Sequence, residues 1–533
     1  MRRLLAAALL CCLPAAARAN DYVDTRLNFT LTDENLLVKP GETNPSVPGI
    51  HIGQPSTLGL MFFDNYDTRY TGYENLTHLV LYKKITGSQF EAEGALVLRF
   101  LEFSDITLQS IDDGSYIKLT YYPDKTRTDQ SNFALVAFPM SADRMRLGYS
   151  YRISWGGSPI FFKFNPDLPT GAQQSGNTTP APGARVQWST DRYQVWAGFK
   201  TSLLLNNNPE INEQEAVYSF LGGATVDLIK DRLRWDINGG YFYRGTNQNM
   251  YPTEVLGPGG HYTDYRVDTA GVSTQLSIFH GVYPSGSLDY ALYKNDPTTA
   301  TRYFSRPIYK PGFNWMIQSE FTYVATSLQD ADNTSSTTWQ NAFAGDINFR
   351  AQAGHFRLKA DLVYRSLEFI LLNQPSLVPF QAFPKDAQVS ADKFVSVGMD
   401  YFFERIGLTI GPTIGVDFPA TFAPPAGSNV AALCGNTMGS LCSSSTIVVR
   451  DEGDYSILPQ GFTAVPVFAA KLVVREDFLD YFAVLLDLYY THDGNQTVLT
   501  KVADMNSIDY GAEIREFNKP DQLGFNLTLQ ARF

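Results

Sequence analysis

Over much of the chain, apolar and polar residues alternate one by one. Leu523, Phe525, Leu527, Leu529 and Ala531 interleave with Gly524, Asn526, Thr528 and Gln530, and Leu233, Trp235, Ile237, Tyr241 and Tyr243 with Arg234, Asp236, Asn238 and Arg244. The same pattern runs through Phe356 to Arg365, Phe482 to Thr491 and Met145 to Trp155. A period of two places the two sets on opposite faces of an extended ribbon. Charges recur in mid-ribbon on the polar face, as with Arg234, Asp236, Arg357, Lys359, Asp361 and Asp487. Such ribbons divide an apolar medium from a wet one.

Met1-Arg2-Arg3, the apolar run Leu4 to Leu13 and the small-x-small site Ala17-Arg18-Ala19 read as a secretory signal peptide over residues 1–19. That run falls short of the roughly 20 residues a membrane helix needs. Leu10 before Cys11 is bulky where a lipidation site wants a small residue. Removal of the signal leaves 39 basic against 54 acidic residues, a net charge of -15. An acidic chain disfavours nucleic acid, whose phosphates require a basic surface. Past the signal no apolar run is long enough for a membrane helix, which excludes a helical membrane protein. No linker or shift of composition divides residues 20–533, which read as one domain.

The connections sort into two kinds. Short turns are expected at Ser141 to Arg144, Thr190 to Arg192, Lys230 to Arg232, Lys310 to Gly312, Gln352 to His355, Glu404 to Gly407 and Arg475 to Asp480. Between them lie longer links, among them Asn165 to Gly183, Gly245 to Asp264, Leu371 to Asp392 and Pro419 to Phe462. A membrane barrel has short turns at one rim and long loops at the other. The fold expected is therefore all-β, a transmembrane antiparallel up-and-down β-barrel of about 22 strands, with 18 to 22 admitted by the pattern. Trp155, Trp188, Trp235, Phe403 and Tyr490 are candidates for its interfacial aromatic girdles.

The final strand ends on Phe533, with Phe525, Leu527 and Leu529 on the same face. This ending resembles the closing strand of Gram-negative outer membrane β-barrel proteins of porin-like type, whose terminal Phe belongs to the signal read by the barrel insertion machinery. The resemblance implies a bacterial outer membrane location, contact with outer membrane lipid, and assembly either singly or as a homo-oligomer.

In such a barrel the polar faces line the lumen. The patterned strands put Arg146, Arg152, Arg185, Lys200, Arg234, Arg244, Arg350, Arg357, Lys359, Arg365 and Arg532 there, against Asp236, Glu320, Asp361, Asp400, Asp417 and Asp487. Rings of basic side chains pass anions, so a weak anion preference is expected; the opposing expectation is that the arginines pair with lumen acids and brace the wall.

Cys434 and Cys442, in a loop rich in Gly and Ser, are expected to form a disulfide after export. The six histidines are scattered, and no HExxH, GxSxG or CxxC pattern is present. No metal, cofactor or enzymatic activity is expected. The reading is an outer membrane channel for small hydrophilic solutes, narrowed by the loops Leu371 to Asp392 and Pro419 to Phe462. The alternative is a structural or docking barrel of an envelope-spanning machine.

Overall fold

The computed structural model describes residues 23–33, 35–37, 49–52, 77–104, 107–112, 114–126, 131–142, 145–150, 152–157, 181–204, 215–246, 266–282, 284, 312–330, 333, 336–372, 382–383, 385–423, 446–450, 455–479, 482–501 and 513–532. The signal segment, Cys434, Cys442 and Phe533 lie outside the described residues, and of Arg532 only the backbone is described.

The strands are β1 (Val23–Asp33), β2 (Gly49–Ile52), β3 (Thr77–Thr86), β4 (Phe90–Ser104), β5 (Thr107–Asp112), β6 (Tyr116–Tyr121), β7 (Asn132–Phe138), β8 (Gly183–Ser189) and β9 (Tyr193–Leu204). They continue as β10 (Glu215–Ile229), β11 (Leu233–Thr246), β12 (Arg266–His280), β13 (Phe313–Gln329), β14 (Thr337–Ala353) and β15 (Phe356–Arg365). After the helix α1 (Leu367–Leu372) come β16 (Gln388–Ser390), β17 (Asp392–Phe403), β18 (Leu408–Phe418), β19 (Ala420–Ala423), β20 (Ile447–Val449) and β21 (Tyr455–Ile457). The last are β22 (Val467–Leu479), β23 (Phe482–His492), β24 (Thr497–Lys501), β25 (Glu513–Phe517) and β26 (Asp521–Arg532).

Every pairing between these strands is antiparallel, and the pairings return on themselves. The order runs β1, β3, β4, β6 through β15, β17, β18, β22, β23 and β26, and β26 pairs again with β1 from Arg26 opposite Arg532 to Asp33 opposite Phe525. Eighteen strand positions close the ring, and β2 and β5, the other members of this 20-stranded sheet, pair with the far ends of β1 and β4. Eighteen is the lower bound of the expected range. Part of the difference from 22 is physical: β12 pairs directly with β13, and the described residues between Met145 and Trp155 form no wall strand.

The alternation read from the sequence holds along the wall. In β17 every second residue is buried, from Asp392 to Phe402, while Val395, Val397, Met399, Tyr401 and Phe403 are exposed. On β14 Phe343 and Ile347 are exposed, whereas Ala342, Ala344, Asp346 and Asn348 are buried. The exposed face thus carries large apolar side chains and the buried face carries polar and small ones. The buried sides of strands from β8 to β18 converge on one stretch of chain, residues 145–157, so the buried side is the inside of the ring.

The tight turns follow local chemistry. Thr190 Oγ1 accepts from the amides of Arg192 and Tyr193 between β8 and β9. Asp231 takes a left-handed φ of 58° between β10 and β11, and Gly407 does so at 67° between β17 and β18. At the opposite rim, α1, β16, β19, β20 and β21 form a separate layer. Leu367, Ile370, Ala420, Phe422, Ile447, Val449 and Ile457 bury one another there in a core of their own. The described parts of the two loops expected to narrow the bore build this layer at the rim instead, because their apolar residues satisfy one another locally.

Candidate functional site

Beyond β7 the chain turns inward. Residues 145–150 and 152–157 form a strap whose neck is the pair Leu147 and Trp155: Leu147 N donates to Trp155 O at 2.8 Å and Trp155 N to Leu147 O at 2.9 Å. Its tip is a turn in which the amides of Ile153 and Ser154 donate to Ser150 O. Gly148 and Gly156, with φ of 77° and 91°, bend the chain at either side of the neck, in the region that favours glycine.

The wall holds the strap largely through its backbone. Lys200 on β9, buried on the inner face, donates from Nζ to the carbonyls of Met145, at 2.9 Å, and Gly156. Asn238 on β11 accepts from the amide of Gly148 at 3.2 Å. Glu320 on β13 accepts from two successive amides, Tyr149 at 2.7 Å and Ser150 at 3.0 Å, and from Ser273 Oγ at 3.3 Å. Asp346 on β14 accepts from Ser150 Oγ. Across the bore, the Arg152 guanidinium lies 4.5 Å from the centre of the Phe394 ring on β17. Trp155, 1% exposed, stands edge-on to Phe242 and beneath Arg244, whose guanidinium is 5.9 Å from its ring.

The rest of the inner wall is laced by ion pairs across adjacent strands. Arg357 meets Asp400 at 2.9 Å, Arg365 meets Asp392 at 3.1 Å and Arg350 meets Asp361 at 3.3 Å. One further pair lies within a single strand, Arg475 with Asp477 on β22 at 2.9 Å, and Lys471 of β22 stands 3.9 Å from Asp487 on β23. Asp487 accepts from Tyr489, which accepts from Asn526, and Asn526 accepts from Thr32 at 2.5 Å. This chain of contacts crosses the β26–β1 seam.

The residues singled out from sequence therefore have different positions. Arg350, Arg357, Asp361, Arg365 and Asp400 belong to the cross-strand pairs, and Lys359 packs over Gly398 in the same arc. Asp417 faces Asp392, Arg365 and Arg152. Arg234 donates to Pro284 O at 3.0 Å, Asp236 accepts from Thr225 at 2.6 Å, and the Arg185 guanidinium lies 5.9 Å from the Trp196 ring. Lys200, Arg244 and Glu320 touch the strap. Arg146 and Arg152 lie on the strap and not on a wall strand, which corrects the expectation for that run. Trp155 is likewise no girdle residue, because its surroundings are Phe242 and Arg244.

Sequence reasoning missed the buried inner-face acids Glu91, Glu93, Asp346, Asp392 and Asp477. It also missed the bases Lys471 and Arg475. All continue the parity of their strands, and that parity was the signal that could have found them. The added acids narrow the basic excess expected from the sequence.

No protein-family model matches the chain, and no curated protein matches its sequence. Among solved structures, it is similar to OccK9 (OpdG) of Pseudomonas aeruginosa, at 8% identity and a TM-score of 0.39, covering 96% of this chain and 98% of that one. OccAB2 of Acinetobacter baumannii gives the same figures. OmpT, an outer membrane protein of Vibrio cholerae, gives 10% identity and a TM-score of 0.33, with 96% of each chain covered. At these values the likeness adds nothing to the fold as described. A closed antiparallel ring with an apolar outside and a polar inside leaves no backbone group unpaired at an edge, which a bilayer requires of a spanning sheet. The chain folds as a transmembrane antiparallel β-barrel.

Proposed function

We propose that this barrel is an outer membrane channel for small hydrophilic solutes, in which the strap 145–157 sets the width of the bore. The observation that carries the reading is the strap itself, tied by Lys200 at its base and by Asn238, Glu320 and Asp346 at its tip. Held in this way through its backbone, the strap fixes how much of the bore stays open. Selectivity among ions is weakly toward anions, since most wall bases face a carboxylate and only a small basic surplus remains to act on the solute. Phe525, Leu527 and Leu529, on the outward face of β26, together with Phe533, serve the insertion machinery, and Cys434 and Cys442 pair outside the cell.

Liposomes containing the purified protein are expected to swell in small sugars and not in large ones. In a salt gradient across a planar bilayer the reversal potential is expected to be small and of the anion-preferring sign. Absence of swelling and of conductance would overturn the channel reading. The docking alternative draws on one observation, the nearly complete burial of Arg475 and Asp487 on the inner wall, and predicts that outcome.

A further inference from the structure

We infer that Glu320 is the latch of the strap and the residue that fixes the size limit of the channel. The inference rests on the channel reading, but its first test does not. The strap has two kinds of attachment. At its base, apolar packing of Met145, Leu147 and Trp155 joins the two carbonyl contacts of Lys200. At its tip, residues 148–150 are held by polar contacts to three wall side chains on β11, β13 and β14.

Among these, Glu320 alone engages two backbone amides at once, one on each carboxylate oxygen. The grip is also shape-specific: a Cβ built on Gly148 would lie 2.5 Å from Glu320 Oε1, so the tip is seated against the carboxylate with no room to spare. Asn238 accepts from the amide of Gly148 and Asp346 from the hydroxyl of Ser150, flanking this grip. A carboxamide at position 320 keeps the size but replaces one acceptor oxygen with an NH2 group that meets an amide N–H. Donor then faces donor, and the tip is released while the base stays packed.

The strap carries its own reporters, because Arg146 and Arg152 are tryptic sites and Arg152 is buried in the seated strap. The folded wild-type protein in detergent micelles is expected to resist trypsin at these positions, and the Glu320→Gln variant to be cut there at least tenfold faster. In planar bilayers the same variant is expected to show a unit conductance raised by half or more and to admit larger sugars in the swelling assay. Retention of heat-modifiable migration on gels confirms that the variant is folded; if it is not folded, Ser273→Ala, which removes one donor to Glu320, is expected to give the same changes in smaller measure. Equal tryptic rates in folded variant and wild type would overturn the latch. Faster cleavage without any conductance in either protein would keep the latch and reject the channel. Faster cleavage with unchanged conductance and sugar limit would overturn the claim that the latch sets the bore.

Discussion

Trp155 of the strap stands edge-on to Phe242 of the wall, ring centroids 4.8 Å apart and planes at 85°. The pair is buried inside the ring at the strap's neck. Truncation of a buried Phe to Ala costs about 3–5 kcal/mol. Phe242→Ala is therefore expected to loosen the strap base and lower the temperature at which the barrel loses its compact gel mobility, whereas Phe343→Ala on the exposed face shifts it much less.

Lys200→Met removes the ammonium and keeps the length of the side chain. Two buried carbonyls, of Met145 and Gly156, then lose a donor, at about 1–3 kcal/mol each. The variant is expected to expose the strap to trypsin while leaving the reversal potential almost unchanged, because the charge is spent on the strap and not on passing ions. A large shift toward cation preference would instead assign Lys200 to selectivity.

The Arg357–Asp400 pair gives a signed test of the wall charges. Asp400→Asn leaves the guanidinium without its counter-charge and is expected to move the reversal potential toward anions; Arg357→Gln is expected to move it toward cations. A double substitution should return close to wild type. Shifts of one sign in both single variants would show that the pair does not act through local charge.

Thr30 on β1 and Thr528 on β26 are directly opposed, their hydroxyls 3.0 Å apart. Directly opposed residues of antiparallel strands have Cα atoms about 4.5–5.5 Å apart, within reach of a disulfide. In a chain lacking Cys434 and Cys442, Thr30→Cys with Thr528→Cys is expected to cross-link in the folded protein and alter its migration after boiling. Failure to cross-link under oxidation would place the two ends of the sheet apart.

The wall was legible because parity is a local property: each of Val395, Val397 and Met399 meets the outside whatever its neighbours are. The strap was not, since Met145 to Trp155 alternates as a wall strand does. Its surroundings decide the matter: inside the ring Trp155 meets Phe242, Arg152 meets Phe394, and Glu320 takes the amides of Tyr149 and Ser150. Gly148, in the middle of that run with a φ of 77°, was the local clue that it could not be a regular strand. The outer layer was missed for another reason: Phe422, Ile447 and Ile457 are far apart in sequence, and only the fold brings them together.

β13 and β14 are 17 residues long, whereas β7 and β8 have 7 each. With a rise of about 3.3 Å per residue and a tilt of about 40°, these correspond to heights of roughly 43 Å and 18 Å. Where β13 and β14 stand, the paired wall outreaches an apolar band of about 25 Å, so surface-directed antibodies approaching from that quarter meet a stiff pleated parapet of hydrogen-bonded backbone.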